Sequence, residues 1–188
     1  MKKIAVLLSG TGTNFAYLVK TLHQKKYEVV FALSNNPQAK GLEIAKAHHI
    51  PYEVVEPKAF SSREAYDAKV VELLQGYAPD LTVLAGFMRI LTPVFTDTIK
   101  AINLHPSLLP RHKGIHAIER SYEDSHNEGG VSVHYVSSEL DGGEILVQKT
   151  LLKKGLSFEQ YDRQIRTVEK EALVEAIDKV LGEVDANL

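Results

Sequence analysis

Five consecutive apolar residues, Ile4-Ala5-Val6-Leu7-Leu8, run straight into Ser9-Gly10-Thr11-Gly12-Thr13-Asn14. Behind that loop Phe15, Leu18, Val19 and Leu22 fall at i, i+3, i+4 and i+7, a helical stripe. An uninterrupted apolar strand is the kind covered on both faces in a parallel sheet. A strand, a glycine loop and a helix start in that order aim backbone N–H groups and a positive helix end at an anion. The unit then recurs. Residues 27–33 read as a strand, 41–48 as a helix and 51–55 as a short strand. Ser61 and Glu64 stand at capping-box spacing ahead of a stripe through Tyr66, Val70, Leu73 and Leu74. Residues 80–84 make another apolar strand, ending at Ala85-Gly86-Phe87-Met88-Arg89; Pro93 opens a brief helix, and 101–104 is a further strand. Such alternation predicts an α/β fold, a Rossmann-like and mostly parallel sheet flanked by helices.

Beyond Pro110 the pattern changes. Residues 111–114 read as a polar loop and 115–126 as a helix, followed by strands over 131–136 and 144–152 joined by Glu139-Leu140-Asp141-Gly142-Gly143. This predicts an edge hairpin. Residues 157–181 read as one long helix with Phe158, Tyr161, Ile165, Val168, Leu173, Ile177, Val180 and Leu181 facing the core, capped by Ser157 with Gln160. A polar tail, 182–188, closes the chain, and the whole of 1–188 reads as a single domain.

Composition narrows the function classes. The formal charge is −2 over 188 residues, so no global field draws nucleic acid or an anionic membrane. The absence of cysteine excludes disulfides, thiolate catalysis and sulfur-ligated zinc. The opening apolar run of five residues is short for a signal peptide, where about 7–15 are needed. No run approaches the ~20 residues of a membrane span. A cytoplasmic protein acting on small molecules, with no nucleic-acid or membrane partner, is the expectation; monomer and homodimer both stay open.

Within that frame Ile102-Asn103-Leu104-His105-Pro106-Ser107 carries the most chemistry. Asn103 and His105 stand two apart on an extended backbone and share a face. A neutral carboxamide donor beside a side chain that titrates near neutrality suits a reaction that forms an oxyanion and moves a proton. Ser107 lacks the Gly-x-Ser-x-Gly setting of a serine nucleophile. Taken by itself, Asp141 beside two glycines reads as a hairpin turn residue. The glycine loop fits one phosphate: no Gly-Lys-Ser/Thr follows it, Phe15 occupies the third glycine position of a dinucleotide fingerprint, and Ser34-Asn35-Asn36 lacks the acid that would hold an NAD ribose. A bare strand-to-helix turn is the alternative. Arg89 either holds an anionic substrate or caps an edge. The other histidines (His23, His48, His49, His112, His116, His126 and His134) form no ligand spacing, so no catalytic metal is expected.

Several stretches together are more specific. Ser9-Gly10-x-Gly12-x-Asn14, Ser62-Arg63-Glu64-Ala65-Tyr66-Asp67, Leu84-Ala85-Gly86-Phe87-Met88-Arg89-Ile90-Leu91, Asn103-Leu104-His105-Pro106-Ser107-Leu108-Leu109-Pro110 and Ser132-Val133-His134-Tyr135-Val136 with Leu140-Asp141-Gly142-Gly143 occur in this order. From about residue 2 to about 181 the chain resembles the folate-dependent formyltransferases, and among them the glycinamide ribonucleotide transformylases of purine biosynthesis. The resemblance implies transfer of the formyl group of 10-formyltetrahydrofolate to the amine of glycinamide ribonucleotide, with no metal. It implies a catalytic trio of Asn103, His105 and Asp141. Gly12, Thr13 and Asn14 would hold the nucleotide phosphate, with Arg166 and Glu169 toward the rest of the ribonucleotide. Arg63, Met88, Arg89, Ile90, Leu91, Asn103 and the stretch Ser137, Ser138, Glu139, Leu140 and Asp141 would form the folate site.

Some positions depart from the family pattern. Thr13 stands where serine is common, Arg166 where a glutamine is expected, Val131 where threonine is common and Lys113 where proline is frequent. Two related activities are set aside by length: the methionyl-tRNA formyltransferases carry an extra RNA-binding domain and the deformylases an N-terminal regulatory one. A formyltransferase acting on a sugar-nucleotide amine stays as the alternative, as does a non-catalytic nucleotide-binding module.

Overall fold

The computed structural model describes residues 1–182; the last six residues of the expected polar tail, 183–188, lie outside the described residues. Seven strands form one sheet in the order β3-β2-β1-β4-β5-β6-β7. By its contacts the chain divides into two compact units, Met1–Ile102 and Asn103–Leu188.

The first unit carries β1 (Lys3–Leu8), α1 (Thr13–Leu22), β2 (Glu28–Ser34), α2 (Gly41–Ala47), β3 (Tyr52–Val54), α3 (Arg63–Tyr77), β4 (Leu81–Leu84) and α4 (Pro93–Thr96). β1 pairs in parallel with β2 and with β4, and β2 with β3, so Val6 lies between Ala32 and Val83. Ile4 through Leu8 are all buried, as an apolar run without alternation demands. The helical stripe holds residue for residue: α1 buries Phe15, Leu18, Val19 and Leu22. Each such side chain taken from water stabilises the fold by about 1.5–3 kcal/mol before entropy is counted.

At α3 the structure shifts the expectation by one position. The cap is Ser62, not Ser61: its backbone is extended and its hydroxyl accepts the Ala65 N–H at 3.0 Å. Ser61 has Glu64 at the box spacing and Ser62 only Ala65, yet the backbone turns helical after Ser62, which caps with its hydroxyl alone. Val71 replaces the half-buried Leu73 on the inner face.

The boundary between units falls within β5 (Ala101–His105). The second unit continues with α5 (Ala117–Glu123), β6 (Glu128–Tyr135), β7 (Ile145–Leu152) and α6 (Phe158–Ile177). β6 and β7 are antiparallel, with a bulge between Val133 and His134, so the expected hairpin is present. α5 is shorter than the expected 115–126, because His116 takes a left-handed backbone (φ 57°) and Asp124 an extended one, closing both ends early. α6 begins with the expected reciprocal box between Ser157 and Gln160. It does not run unbroken to Leu181: a π-helical turn, Asp178–Gly182, takes over and still buries Val180 and Leu181. Phe158 is no core residue. It sits in the first turn, 36% exposed, with its ring edge against Tyr122. Tyr161, Ile165, Ala172, Leu173, Ala176 and Ile177 make the buried face, together with the acidic Glu169.

Candidate active site

β5 delivers Asn103 and His105, and the second unit supplies their surroundings. His105 is buried. Its Nε2–H donates to the His112 carbonyl at 2.8 Å. A carbonyl only accepts, so the proton on Nε2 is fixed and Nδ1 becomes the nitrogen free to titrate. Nδ1 faces Asp141 Oδ2 at 3.5 Å. Burial lowers the His105 pKa below its usual value, while the His112 bond and the Asp141 charge pull it back up without cancelling the shift.

Asp141 is buried at a left-handed backbone position (φ 52°), and its Oδ2 accepts the Gly114 N–H at 2.9 Å. Burial alone would raise its pKa. Hydrogen bonds from His134 and Gly114, with the charges of His105 and His134, outweigh that and hold the carboxyl below its usual range. The turn residue is thus also a buried, ionised partner of the histidine.

His134 is the member that sequence reasoning missed. It is buried on β6, with Nε2 3.4 Å from the Asn103 amide nitrogen and 3.7 Å from Asp141 Oδ1. Its Nδ1–H donates to the Tyr135 carbonyl at 2.8 Å, which leaves Nε2 facing both the Asn103 amide and the Asp141 carboxylate. Gly143 lies so close that a Cβ there would stand 1.7 Å from that same carbonyl. The signal was present in Ser132-x-His134, two polar residues on one face of a strand that the pattern otherwise buries.

The loop after His105 is tied to β6 by Ser132. Its hydroxyl donates to the Ser107 carbonyl (2.7 Å) and accepts from the Leu109 N–H (3.0 Å) and Gln148 Nε2 (3.0 Å). Ser107 donates its own hydroxyl to the Arg111 carbonyl, a structural use. The Leu109–Pro110 bond is cis.

In the first unit, Gly12 is the N-cap of α1 at φ 74°, with no side-chain cap on the helix. A Cβ there would meet Gly41 Cα at 2.5 Å, so both the backbone conformation and the space require glycine. Thr13 and Asn14 begin the helix. Ser9 joins this loop to the 86–91 corner, its hydroxyl accepting the Met88 N–H at 2.8 Å. In that corner Met88 and Ile90 are exposed while Leu91 is buried. Arg89 lies over the Tyr66 ring at 4.0 Å, a cation–π contact of about 0.5–2 kcal/mol. The buried Asp67 holds the next residue, its Oδ2 accepting both the N–H and the hydroxyl of Thr92 at 2.7 Å. Arg63 is exposed at the start of α3.

Other expected site residues are less constrained. Ser137, Ser138, Glu139 and Leu140 form the loop leading to Asp141; the Ser137 hydroxyl bonds within it, and Glu139 pairs with Lys113 at 3.4 Å. On α6, Glu169 is buried, whereas Arg166 is exposed and pairs with Asp162 at 3.3 Å. Among the described residues no group of three or more His, Asp or Glu side chains is arranged to hold a metal ion.

A half-buried carboxamide, an imidazole with one proton pinned and an ionised carboxylate form a set suited to stabilise an oxyanion and shuttle one proton, the needs of acyl or formyl transfer to an amine. The chain belongs to the formyl transferase family, whose sequence profile matches residues 2–177. More particularly, it is similar to the phosphoribosylglycinamide formyltransferase of Haemophilus influenzae, 43% identical over 152 residues that cover 79% of this chain and 72% of the relative. The phosphoribosylglycinamide formyltransferase of Bacillus subtilis is 34% identical over 187 residues, 97% of this chain and 96% of the relative. Among solved structures, the phosphoribosylglycinamide formyltransferase of Campylobacter jejuni superposes with a TM-score of 0.93 at 46% identity, covering 95% of this chain and 97% of that one.

Proposed function

We propose that the chain transfers the formyl group of 10-formyltetrahydrofolate to the primary amine of glycinamide ribonucleotide, a step of purine biosynthesis. The observation that carries the reading is the approach of Asp141 Oδ2 to within 3.5 Å of His105 Nδ1, with the Asn103 amide held on the same β5 face. The substrate amine attacks the formyl carbon and a tetrahedral intermediate forms. The Asn103 amide donates to its oxyanion; losing such a donor costs about 100–1000-fold in rate. The proton shed by the amine passes to His105 Nδ1, whose charged form burial opposes and Asp141 supports. Asp141 stabilises the imidazolium, whose Nδ1–H then serves the oxyanion and finally protonates the departing folate nitrogen.

The binding roles follow the same reading. Gly12, Thr13 and Asn14 hold the nucleotide phosphate at the uncapped start of α1, and Glu169 with Arg166 addresses the rest of the ribonucleotide. Arg63, the 88–91 corner and the 137–141 loop take the folate, with exposed Met88 and Ile90 offering apolar surface and the backbone offering hydrogen bonds. The family match crosses both compact units, which supports reading 1–188 as one working domain. Among the described residues no helix is long and apolar enough to cross a membrane, and we place the enzyme in the cytoplasm with small molecules as its partners.

The deciding experiment mixes purified protein with glycinamide ribonucleotide and 10-formyltetrahydrofolate and follows tetrahydrofolate formation. Turnover with this amine well above that with sugar-nucleotide amines is expected. No turnover, or equal turnover with unrelated amines, would sink the assignment.

A further inference from the structure

The His112 carbonyl that fixes the His105 tautomer belongs to a residue whose own side chain is tied down elsewhere. His112 adopts a left-handed backbone, φ 55°. A non-glycine residue holds that conformation at a cost and stays there only when its surroundings over-determine it. What determines it here is Asp124, the residue that ends α5. His112 Nε2 donates to Asp124 Oδ2 at 2.6 Å.

Asp124 is in turn immobilised. Its Oδ1 accepts from Lys153 Nζ at 2.7 Å and from the His126 N–H at 2.9 Å. Lys153, its side chain only 10% exposed, also donates to the carbonyls of Ser121, Tyr122 and Asp124 at the end of α5. That is a cation placed where a helix end concentrates negative charge. None of these three side chains lies against the Asn103, His105 and Asp141 trio; only the His112 carbonyl does.

From this we infer that Asp124 and Lys153, acting through His112, are positioning residues for His105: they hold the carbonyl that pins its Nε2 proton and leaves Nδ1 as the nitrogen that works. The inference rests on the reading of His105 as the proton-transferring residue. The charged and titratable groups that bear on His105 are Asp141, His134 and Arg120, besides the His112 carbonyl. Those around His112 are Asp124, Lys153 and the neighbouring Arg111, which pairs with Glu128 at 3.1 Å. The His112 carbonyl raises the His105 pKa, so its withdrawal shifts titration further down.

The test compares wild type with His112→Ala, His112→Gln and Asp124→Asn, each checked for folding by urea denaturation. Imidazole nitrogen shifts measured by NMR across pH report the His105 tautomer and titration. Wild type is expected to show the Nε2–H tautomer. His112→Ala should show mixed tautomers and a His105 titration displaced to lower pH. Its kcat should fall about tenfold, the usual scale for one lost hydrogen bond to a charge-bearing group, with both KM values little changed. His112→Gln, whose amide can reach Asp124, should recover most of both readouts, and Asp124→Asn should behave like His112→Ala. An unchanged His105 tautomer and titration in folded His112→Ala and Asp124→Asn would overturn the inference. So would a Gln variant no better than the Ala variant. A wild-type protein with the Nε2–H tautomer and its shift in His112→Ala, yet no formyl transfer, would support the positioning and remove the functional reading alone.

Discussion

Asp141 Oδ2 approaches His105 Nδ1 to 3.5 Å while accepting the Gly114 N–H at 2.9 Å. One carboxylate oxygen thus faces the ring proposed to move a proton and anchors the loop that follows it. Burial alone would favour the neutral acid; its charge is held first by His134 and then by the Gly114 N–H and His105.

Replacing Asp141 with Asn keeps the shape and removes the charge. Turnover is expected to fall by about 100-fold or more, the scale of a lost acid–base partner, with nucleotide binding largely intact. The Asp141 charge raises the His105 pKa against burial, so in Asp141→Asn the ring should titrate lower still. Steady-state kinetics, calorimetric nucleotide titration and NMR would check all three. Near-normal turnover would take Asp141 out of the chemistry.

Asp67 is wholly buried and takes two hydrogen bonds from Thr92, just beyond the 88–91 corner. Asp67→Ala leaves both donors without their partner and should cost about 2–3 kcal/mol in urea denaturation. The KM for the folate substrate should rise more than that for the nucleotide, because the corner loses its anchor. A variant as stable as wild type would mean that water replaces the carboxylate at no loss.

Asp124 predicts an acid dependence of stability. Burial opposes its charge, but hydrogen bonds from Lys153, His112 and the His126 N–H depress its pKa well below the carboxylate range. A folded-state value below the unfolded one, about 3.9, means stabilisation that is complete above that pH and is lost as pH falls toward the folded value. Urea midpoints of Asp124→Asn should therefore change less below pH ~4 than those of wild type. Parallel curves would show that other carboxylates dominate the acid response.

How far the sequence reaches depends on how local each cause is. The α1 stripe was legible because Phe15, Leu18, Val19 and Leu22 need only a helical period to share a face. Asn103 and His105 were legible for the equivalent reason on a strand. His134 was legible only as a polar residue in a buried strand: its partners Asn103 and Asp141 lie far from it or across a turn, and the register of β6 shifts just before it, which spacing along the chain does not encode. Ser61 and Ser62 carry the same capping hydroxyl one residue apart, and the helix starts after the second. The early closure of α5 turns on the left-handed backbone of His116, a conformation that histidine does not advertise.

Gly12 and Gly41 bring a loop and a helix start into contact so close that a Cβ at Gly12 would fall 2.5 Å from Gly41 Cα, and one at Gly41 would fall 2.3 Å from Leu8 Cδ1. Anyone diversifying this enzyme toward other phosphate esters should treat the two positions as a single locked unit. Enlarging either one cannot be rescued by shrinking the other, since both are already at the minimum. Variation would have to enter through the exposed Thr11 and Thr13, where side chains can change without moving the backbone underneath.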